Sequence, residues 1–292
     1  MANLKEVRTR IASVISTQQI TKAMKMVSAA KLKRAQDAIL TMRPYASKLR
    51  EIMENISGSL DANAGGQFAV VRPVAKVLII AVSSNRGLCG AFNANINRTV
   101  ARIMRENYPT LLKSGNVKVM AIGKKSSDFF GKQKQNFAGQ HNDIYTDLNF
   151  ENASAIAVEV MTKFANGEYD RVEIVYNQFK NAAVQNVIVE QLLPIVAAEA
   201  KETKSANDYI FEPEKEELVL ELIPKAVKVQ LYKAILDSHA SEHGARMTAM
   251  SKATDNAGEI LKDLRLSYNK ARQAAITGEI LEIVAGAEAL NG

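Results

Sequence analysis

The two ends of the chain carry apolar residues at heptad spacing with few breakers, and the middle alternates short apolar runs with amphipathic ones. From residue 4 to about 57, Ala, Met, Leu, Lys and Arg dominate and Pro44 is the one strong breaker, which predicts a single long helix with Pro44 as its bending point. Leu4, Val7, Ile11 and Val14 share one heptad register with Leu32, Ala35, Ile39 and Met42. Between them the same register reads Gln18, Thr21, Lys25 and Ser28, and the apolar stripe moves to Ile20, Met24 and Val27. A helix that turns its apolar face in this way is expected to touch more than one neighbour. Pro224 suits a first helical turn, and no proline follows it to about residue 290. The seam expected on this second helix is Met250, Ala253, Ala257, Ile260 and Leu264. At 1.5 Å per residue the helices span roughly 80 and 100 Å, too long for an ordinary compact domain. Leaving one domain from the same side, they must pair as an antiparallel two-stranded coiled coil. The longer then overshoots, exposing an apolar tip of Ile280, Leu281, Ile283 and Val284 that calls for a partner.

Residues 58–67, "GSLDANAGGQ", read as a linker. Beyond it, "KVLIIAVSS" and "NVKVMAIG" have the continuous apolar character of buried strands, with a helix over 91–107 between them. A second helix over 152–166 precedes the strands "YDRVEIVYNQF" and "AVQNVIVEQLLP". Alternating strands and helices predict an α/β sandwich of Rossmann-like type. The expected division is an N-terminal coiled-coil helix over 1–57, the α/β domain over 68–208, and a C-terminal segment over 209–292 with the long helix, "DYIFEPE" being a possible edge strand.

Composition narrows the class. Of 292 residues, 47% are hydrophobic and 24% charged, a balance typical of globular proteins in water. The single cysteine, Cys89, excludes an internal disulfide, and neither a signal peptide nor a run of about 18 uncharged apolar residues is evident. The net charge of +7 lies in the first fifth, where residues 1–57 hold 11 Lys/Arg against 4 Asp/Glu, leaving 27 against 27 elsewhere. "ITKAMKMVSAAKLKRAQ" alone has five cations and no acid. Such a stripe is a solvated face, or it awaits nucleic acid, an anionic membrane or an acidic protein. The charge by itself does not choose.

Candidate chemistry is sparse. "HASEH" matches the H-x-x-E-H pattern, in which His239 and His243 share a helix face and could hold zinc beside Glu242. His141 is the only other histidine and a third ligand is not evident, so these read as ordinary helix-surface histidines. "SSNRGLCGAFN" runs from a strand into a helix, where α/β proteins bind phosphates or place nucleophiles, but G-x-G-x-x-G is absent and "AIGKKSS" lacks the first glycine of a P-loop. Cys89 reads as a small core residue, and "GGQ" in a linker as no evidence of peptide release. No cofactor, metal or catalytic residue is assigned.

Three blocks together resemble the gamma subunit of the rotary F-type ATP synthase: "TQQITKAMKMVSAAKLKRAQ", "SSNRGLCGAFN", and "SEHGARMTAMSKATDNA" continuing into "LRLSYNKARQAAITGEILEIVAGAEAL". The resemblance covers the whole chain in order. It implies a non-catalytic rotor shaft, its coiled coil inside a ring of alpha and beta subunits and its α/β domain on the epsilon subunit and the membrane c-ring. It implies ion-driven rotation that forces each beta subunit through binding, synthesis and release of ATP. It also implies a peripheral location on the cytoplasmic face of a bacterial inner membrane and no nucleic acid. Carried over by motif, Met24 and Lys25 would lie near an acidic helix-turn-helix of the beta subunits, with Lys22, Lys31, Lys33 and Arg34 on the same basic track and Arg86 facing the same region. Arg272, Gln273 and Thr277 resemble a polar catch for beta loops, and Arg246 a packing or coupling residue. Asn85 stands where the family commonly has Asp, which removes a salt bridge from that loop. The competing reading from charge alone is a nucleic-acid-binding coiled coil carrying an α/β module.

Overall fold

The computed structural model describes residues 4–57, 66–132, 134–195 and 215–291. Most of the 58–67 linker and all of "DYIFEPE" lie outside them. Inter-residue contacts divide the chain into two units, Met1–Ser28 with Met247–Gly292, and Ala29–Arg246. Helices α1 (Leu4–Ser57) and α6 (Lys215–Asn291) contribute to both.

The first unit is an antiparallel pair of helical segments. Its sense follows from the cross-contacts: Arg8 bonds Tyr268, Gln18 bonds the Thr254 carbonyl, and Lys25 bonds Ser251. On α6 the inward positions are Met250, Thr254, Ala257, Leu261, Leu264, Tyr268 and Ala271, an unbroken alternation of steps of four and three. The expected seam is thus corrected at one place. Leu261 is buried where Ile260, at 48% exposure, was expected, and Thr254 joins Ala253 as a half-buried position. On α1 the buried register does not turn with the apolar stripe. Thr21 and Ser28 are buried in the original register, whereas Ile20 and Val27 stand 59% and 57% exposed. An interhelical hydrogen bond from Thr254 satisfies Thr21 and lets the heptad continue. Leu4 falls opposite the region of residue 272, so the rest of α6 overhangs. Its Ile280, Leu281, Ile283 and Val284 are all more than half exposed, as the helix lengths predicted.

The second unit is built on a five-stranded sheet: β1 (Val77–Val82), β2 (Val117–Ile122), β3 (Phe137–Gln140), β4 (Arg171–Phe179) and β5 (Gln185–Leu193). The order is β3-β2-β1-β4-β5, parallel except for β5, which closes a hairpin on β4. Every β1 residue is buried because both faces are covered. Leu78, Ile80, Met120, Ile174 and Tyr176 pack under α5 (Phe150–Ala165) and under Val227, Leu231, Ala234 and Ile235 of α6. Val77, Ile79, Ala81 and Val175 pack under Ile96, Val100 and Met104 of α2 (Phe92–Glu106), with Phe130 alongside.

Pro224 lies inside α6, which starts nine residues before it, rather than in the first turn. Neighbouring Ile223 is buried against Ile52 and Phe68, and this packing offsets the missing backbone donor. Three short elements escaped sequence patterning: α3 (Pro109–Lys113), α4 (Lys124–Phe130) and β3. None is long enough to display a period, and Gly139 interrupts β3.

Candidate functional site

A parallel sheet of this order binds ligands beyond the carboxyl ends of β1 and β4, where the connections diverge. The "SSNRGLCGAFN" loop leaves β1 there, and its polar groups are turned on one another. The Ser84 amide and hydroxyl both bond Asn93 Oδ1, at 2.9 and 3.0 Å, and Asn93 Nδ2 points at Cys89 Sγ, 3.2 Å away. Cys89 is buried and burial pushes its thiol up, which fits a packed residue and not a nucleophile.

The helix amides that would receive a phosphate are already occupied. Lys124 N donates to Asn85 Oδ1 at 2.9 Å, Lys125 N to the Ser84 carbonyl at 3.1 Å and Ser126 N to Ser83 Oγ at 2.9 Å. Gly123, at φ +106°, makes the approach possible, since a Cβ there would meet the Ser83 carbonyl oxygen at 2.2 Å. Asn85 Nδ2 also donates to the Asn142 carbonyl at 2.8 Å, which an aspartate could not do.

The crevice itself holds α6. Ser238 Oγ donates to the Val82 carbonyl at the end of β1 and Ser241 Oγ to the Asn177 carbonyl of β4, at 3.4 and 3.0 Å. Gly244 lets the hairpin backbone approach, with the Ala182 carbonyl oxygen 3.2 Å from where a Cβ would be. Two residues on, buried Arg246 spans Glu242 Oε1 at 2.6 Å and the carbonyls of Arg86 and Gly87, each at 3.2 Å. Burial raises the Glu242 carboxyl while Arg246 opposes the rise. On α1, Arg43 reaches fully buried Asp237 at 3.1 Å and the Phe179 carbonyl at 3.0 Å.

The "HASEH" histidines are not surface residues. His243 is buried and His239 half-buried, with their Nε2 atoms 3.1 Å apart and Tyr145 stacked on His239. Burial lowers both, His239 to about 4 and His243 to about 3, and the charges of Lys31 and Arg246 lower them further. Two neutral rings facing two cations are poorly disposed to take up a metal cation. The sequence alone misjudged them because the sheet that covers this part of α6 lies far away along the chain.

The remaining predicted site residues are distributed as follows. In the first unit Lys22 is exposed, Met24 half-buried, and Lys25, though exposed, bonds Ser251 Oγ at 3.0 Å across the seam. Arg272, Gln273 and Thr277 are exposed, with the Thr277 hydroxyl on the Gln273 carbonyl at 3.0 Å. In the second unit Lys31, Lys33, Arg34 and Arg86 are exposed, and Arg246 is buried beneath the Arg86 backbone. Sequence reasoning passed over Leu88, 64% exposed at φ +63°, whose only signal was its setting between two glycines in "RGLCG".

Comparison with known proteins accounts for the whole chain. The ATP synthase family model matches residues 3–290. The ATP synthase gamma chain of Flavobacterium johnsoniae is 59% identical over 292 residues, and that of Geotalea daltonii 45% over 292, each covering all of both chains. A central-stalk chain from the Tetrahymena thermophila mitochondrial ATP synthase is 28% identical with a TM-score of 0.59, over 80% of this chain and 99% of that one. A chain of the Euglena gracilis mitochondrial enzyme shares the fold, with a TM-score of 0.72 at 24% identity over 98% and 94% of the two chains. With identity this high over its full length, the chain belongs to the ATP synthase gamma chain family.

Proposed function

We propose that the chain is the central rotor of an F-type ATP synthase, which transmits ion-driven rotation of a membrane c-ring to the beta-subunit catalytic sites. The observation that carries the reading is the first unit, an antiparallel helical pair with a polar seam and an overhanging apolar end. Such an end needs an enclosing partner, which a ring of alpha and beta subunits supplies. The chain makes no bond in the reaction. Each catalytic site responds because its contacts with the rotor differ from one angle to the next, and a shift in population requires such differential contact. The domains proposed are the helix over 1–57, the α/β domain over 68–208 and the C-terminal segment over 209–292.

In this reading Lys22, Met24, Lys25, Lys31, Lys33, Arg34 and Arg86 meet acidic beta-subunit surface, and Arg272, Gln273 and Thr277 form the polar catch. Arg246 acts from beneath the Arg86 loop. Exposed ion pairs contribute about 0 to 1 kcal/mol each, a weakness suited to contacts that break and re-form at every step. The epsilon subunit and the c-ring are the partners proposed for the α/β domain. No described helix is long and apolar enough to cross a membrane. In the rotor reading the chain takes a peripheral position on the cytoplasmic face of a bacterial inner membrane, reached through the c-ring.

Mixing the purified chain with alpha and beta subunits should yield a stoichiometric ATPase that forms only when it is present. An active ring with no requirement for the chain would sink the rotor reading. Reversal of Lys22, Lys25 and Arg34 to Glu should impair coupled ion pumping without unfolding the chain. The nucleic-acid alternative leaves both the polar catch and the apolar tip without a role.

A further inference from the structure

Arg43 joins three elements of the second unit. From α1, its Nη2 donates to the Phe179 carbonyl at the end of β4, at 3.0 Å, and to Asp237 Oδ1 of α6, at 3.1 Å. The partners are unequally placed: the Arg43 side chain is 43% exposed and that of Asp237 1%. Asp237 Oδ2 is buried with no hydrogen-bond partner among the described residues, and burial raises the carboxyl while Arg43 opposes the rise. A buried carboxylate satisfied at one oxygen adds little to stability, because desolvation offsets most of the attraction. The best-attested use of such groups is to set the register of packed helices. This part of α1 has need of it. Its buried apolar residues, Leu32, Ala35, Ile39 and Leu49, make non-directional contacts that resist sliding and rolling weakly. Pro44, the next residue, removes a backbone hydrogen bond and softens the helix at this point. By contrast, Ser238 and Ser241 pin α6 to two strand carbonyls.

We propose that Arg43 is a positioning residue that locks the rotational phase of α1 to α6 and to the end of β4, and that this lock carries load. A single nitrogen with two fixed N–H directions reaches a carboxylate and a carbonyl at once, so neither sliding nor rolling of α1 leaves both contacts intact. Under the proposed rotor reading, on which the load-bearing half rests, twist entering along α1 reaches the sheet through Arg43. Without it, twist is lost as movement of one helix over the other.

The test separates register from stability by replacing both partners with apolar residues, Arg43→Met with Asp237→Leu. This double variant of the full chain should melt at or above the wild-type temperature. Arg43→Met alone strands the buried carboxylate and should melt lower. Nitroxide labels at exposed Leu40 of α1 and exposed Val184 of the hairpin report the phase of the helix directly. Their distance distribution should broaden in the double variant by about 1.5 Å, the rise of one helical residue. In complexes reconstituted with alpha, beta and epsilon subunits and the c-ring in vesicles, the double variant should hydrolyse ATP at the wild-type rate when no ion gradient opposes it. Its ions pumped per ATP should fall as the opposing gradient steepens, while the wild-type ratio holds. The lock is overturned if the double variant keeps the wild-type distance distribution, or if it melts as low as Arg43→Met alone. A broadened distribution with unchanged pumping against the gradient would overturn the load-bearing half and leave the rotor reading standing. Failure of the wild-type chain to assemble would overturn the rotor reading and leave the register lock standing.

Discussion

Thr21 and Thr254 meet across the two-helix unit, hydroxyl to hydroxyl at 2.8 Å, in seam positions where a coiled coil ordinarily buries aliphatic side chains. Each also reaches its own helix, Thr21 to the Gln18 carbonyl and Thr254 to the Met250 carbonyl. Replacing either one alone by valine should cost about 1 kcal/mol, since the other hydroxyl loses a partner. Replacing both should recover most of that loss. Melting temperatures of the two single variants and the double variant, read as a cycle, measure the coupling.

Among the described residues Arg246 alone donates to the buried Glu242 carboxylate, and it also clamps two loop carbonyls. Arg246→Ala leaves that carboxylate uncompensated, and breaking such a pair costs about 3 to 5 kcal/mol. Arg246→Ala with Glu242→Gln should lose distinctly less than Arg246→Ala alone, in urea unfolding followed by circular dichroism.

Two glycines with positive φ should respond differently to alanine. At Gly123 the new Cβ would meet the Ser83 carbonyl oxygen at 2.2 Å, and backbone has no way to yield, so Gly123→Ala should prevent folding or leave an aggregating chain. At Gly90, φ +60°, no atom lies within 4 Å of the new Cβ, so only the conformational cost of about 1 kcal/mol remains. Soluble yield and melting temperature separate the two.

His239 and His243 make stability depend on pH. Both fold as neutral rings, with values lowered to about 4 and about 3 from 6.5 in the unfolded chain. The unfolded state therefore binds more protons below pH 6.5. Their contribution is complete above pH 6.5 and is lost as pH falls through about 4 and 3, in total on the order of a few kcal/mol. Thermal unfolding between pH 7 and 4 should show the decline, and His243→Gln should flatten it.

The legible parts of this fold were those with a long or uninterrupted pattern. Heptads marked both terminal helices, their unequal lengths marked the overhang, and the runs "VLIIAV" and "VKVMAI" marked the buried strands. The phase of the seam was harder, because Ile260 and Leu261 are equally apolar and only the partner helix decides which faces it. The continuation of the seam through polar residues beside Ile20 is hidden for a related reason. Gln18, Thr21 and Lys25 look wrong for a seam until the groups they bond, Thr254 and Ser251, appear more than 220 residues away. Burial of His243 and Arg246 was likewise invisible, since the sheet and loop that cover them are distant in sequence. Nothing in the order of residues announces that α6 fills the crevice where a Rossmann-like sheet would take a nucleotide.

That last placement bears on how the protein comes into being. Ser238 and Ser241 cap the ends of strands completed sixty or more residues earlier, and Arg8 waits for a partner 260 positions downstream. During synthesis the sheet emerges from the ribosome with one face lacking Val227, Leu231 and Ile235, and the seam of α1 stays bare until the last fifth of the chain is made. Contacts so remote in sequence close slowly and leave apolar surface open in the meantime. A nascent chain halted near residue 200 therefore has neither unit finished, and premature termination yields a substrate for chaperones and proteases rather than a shorter rotor.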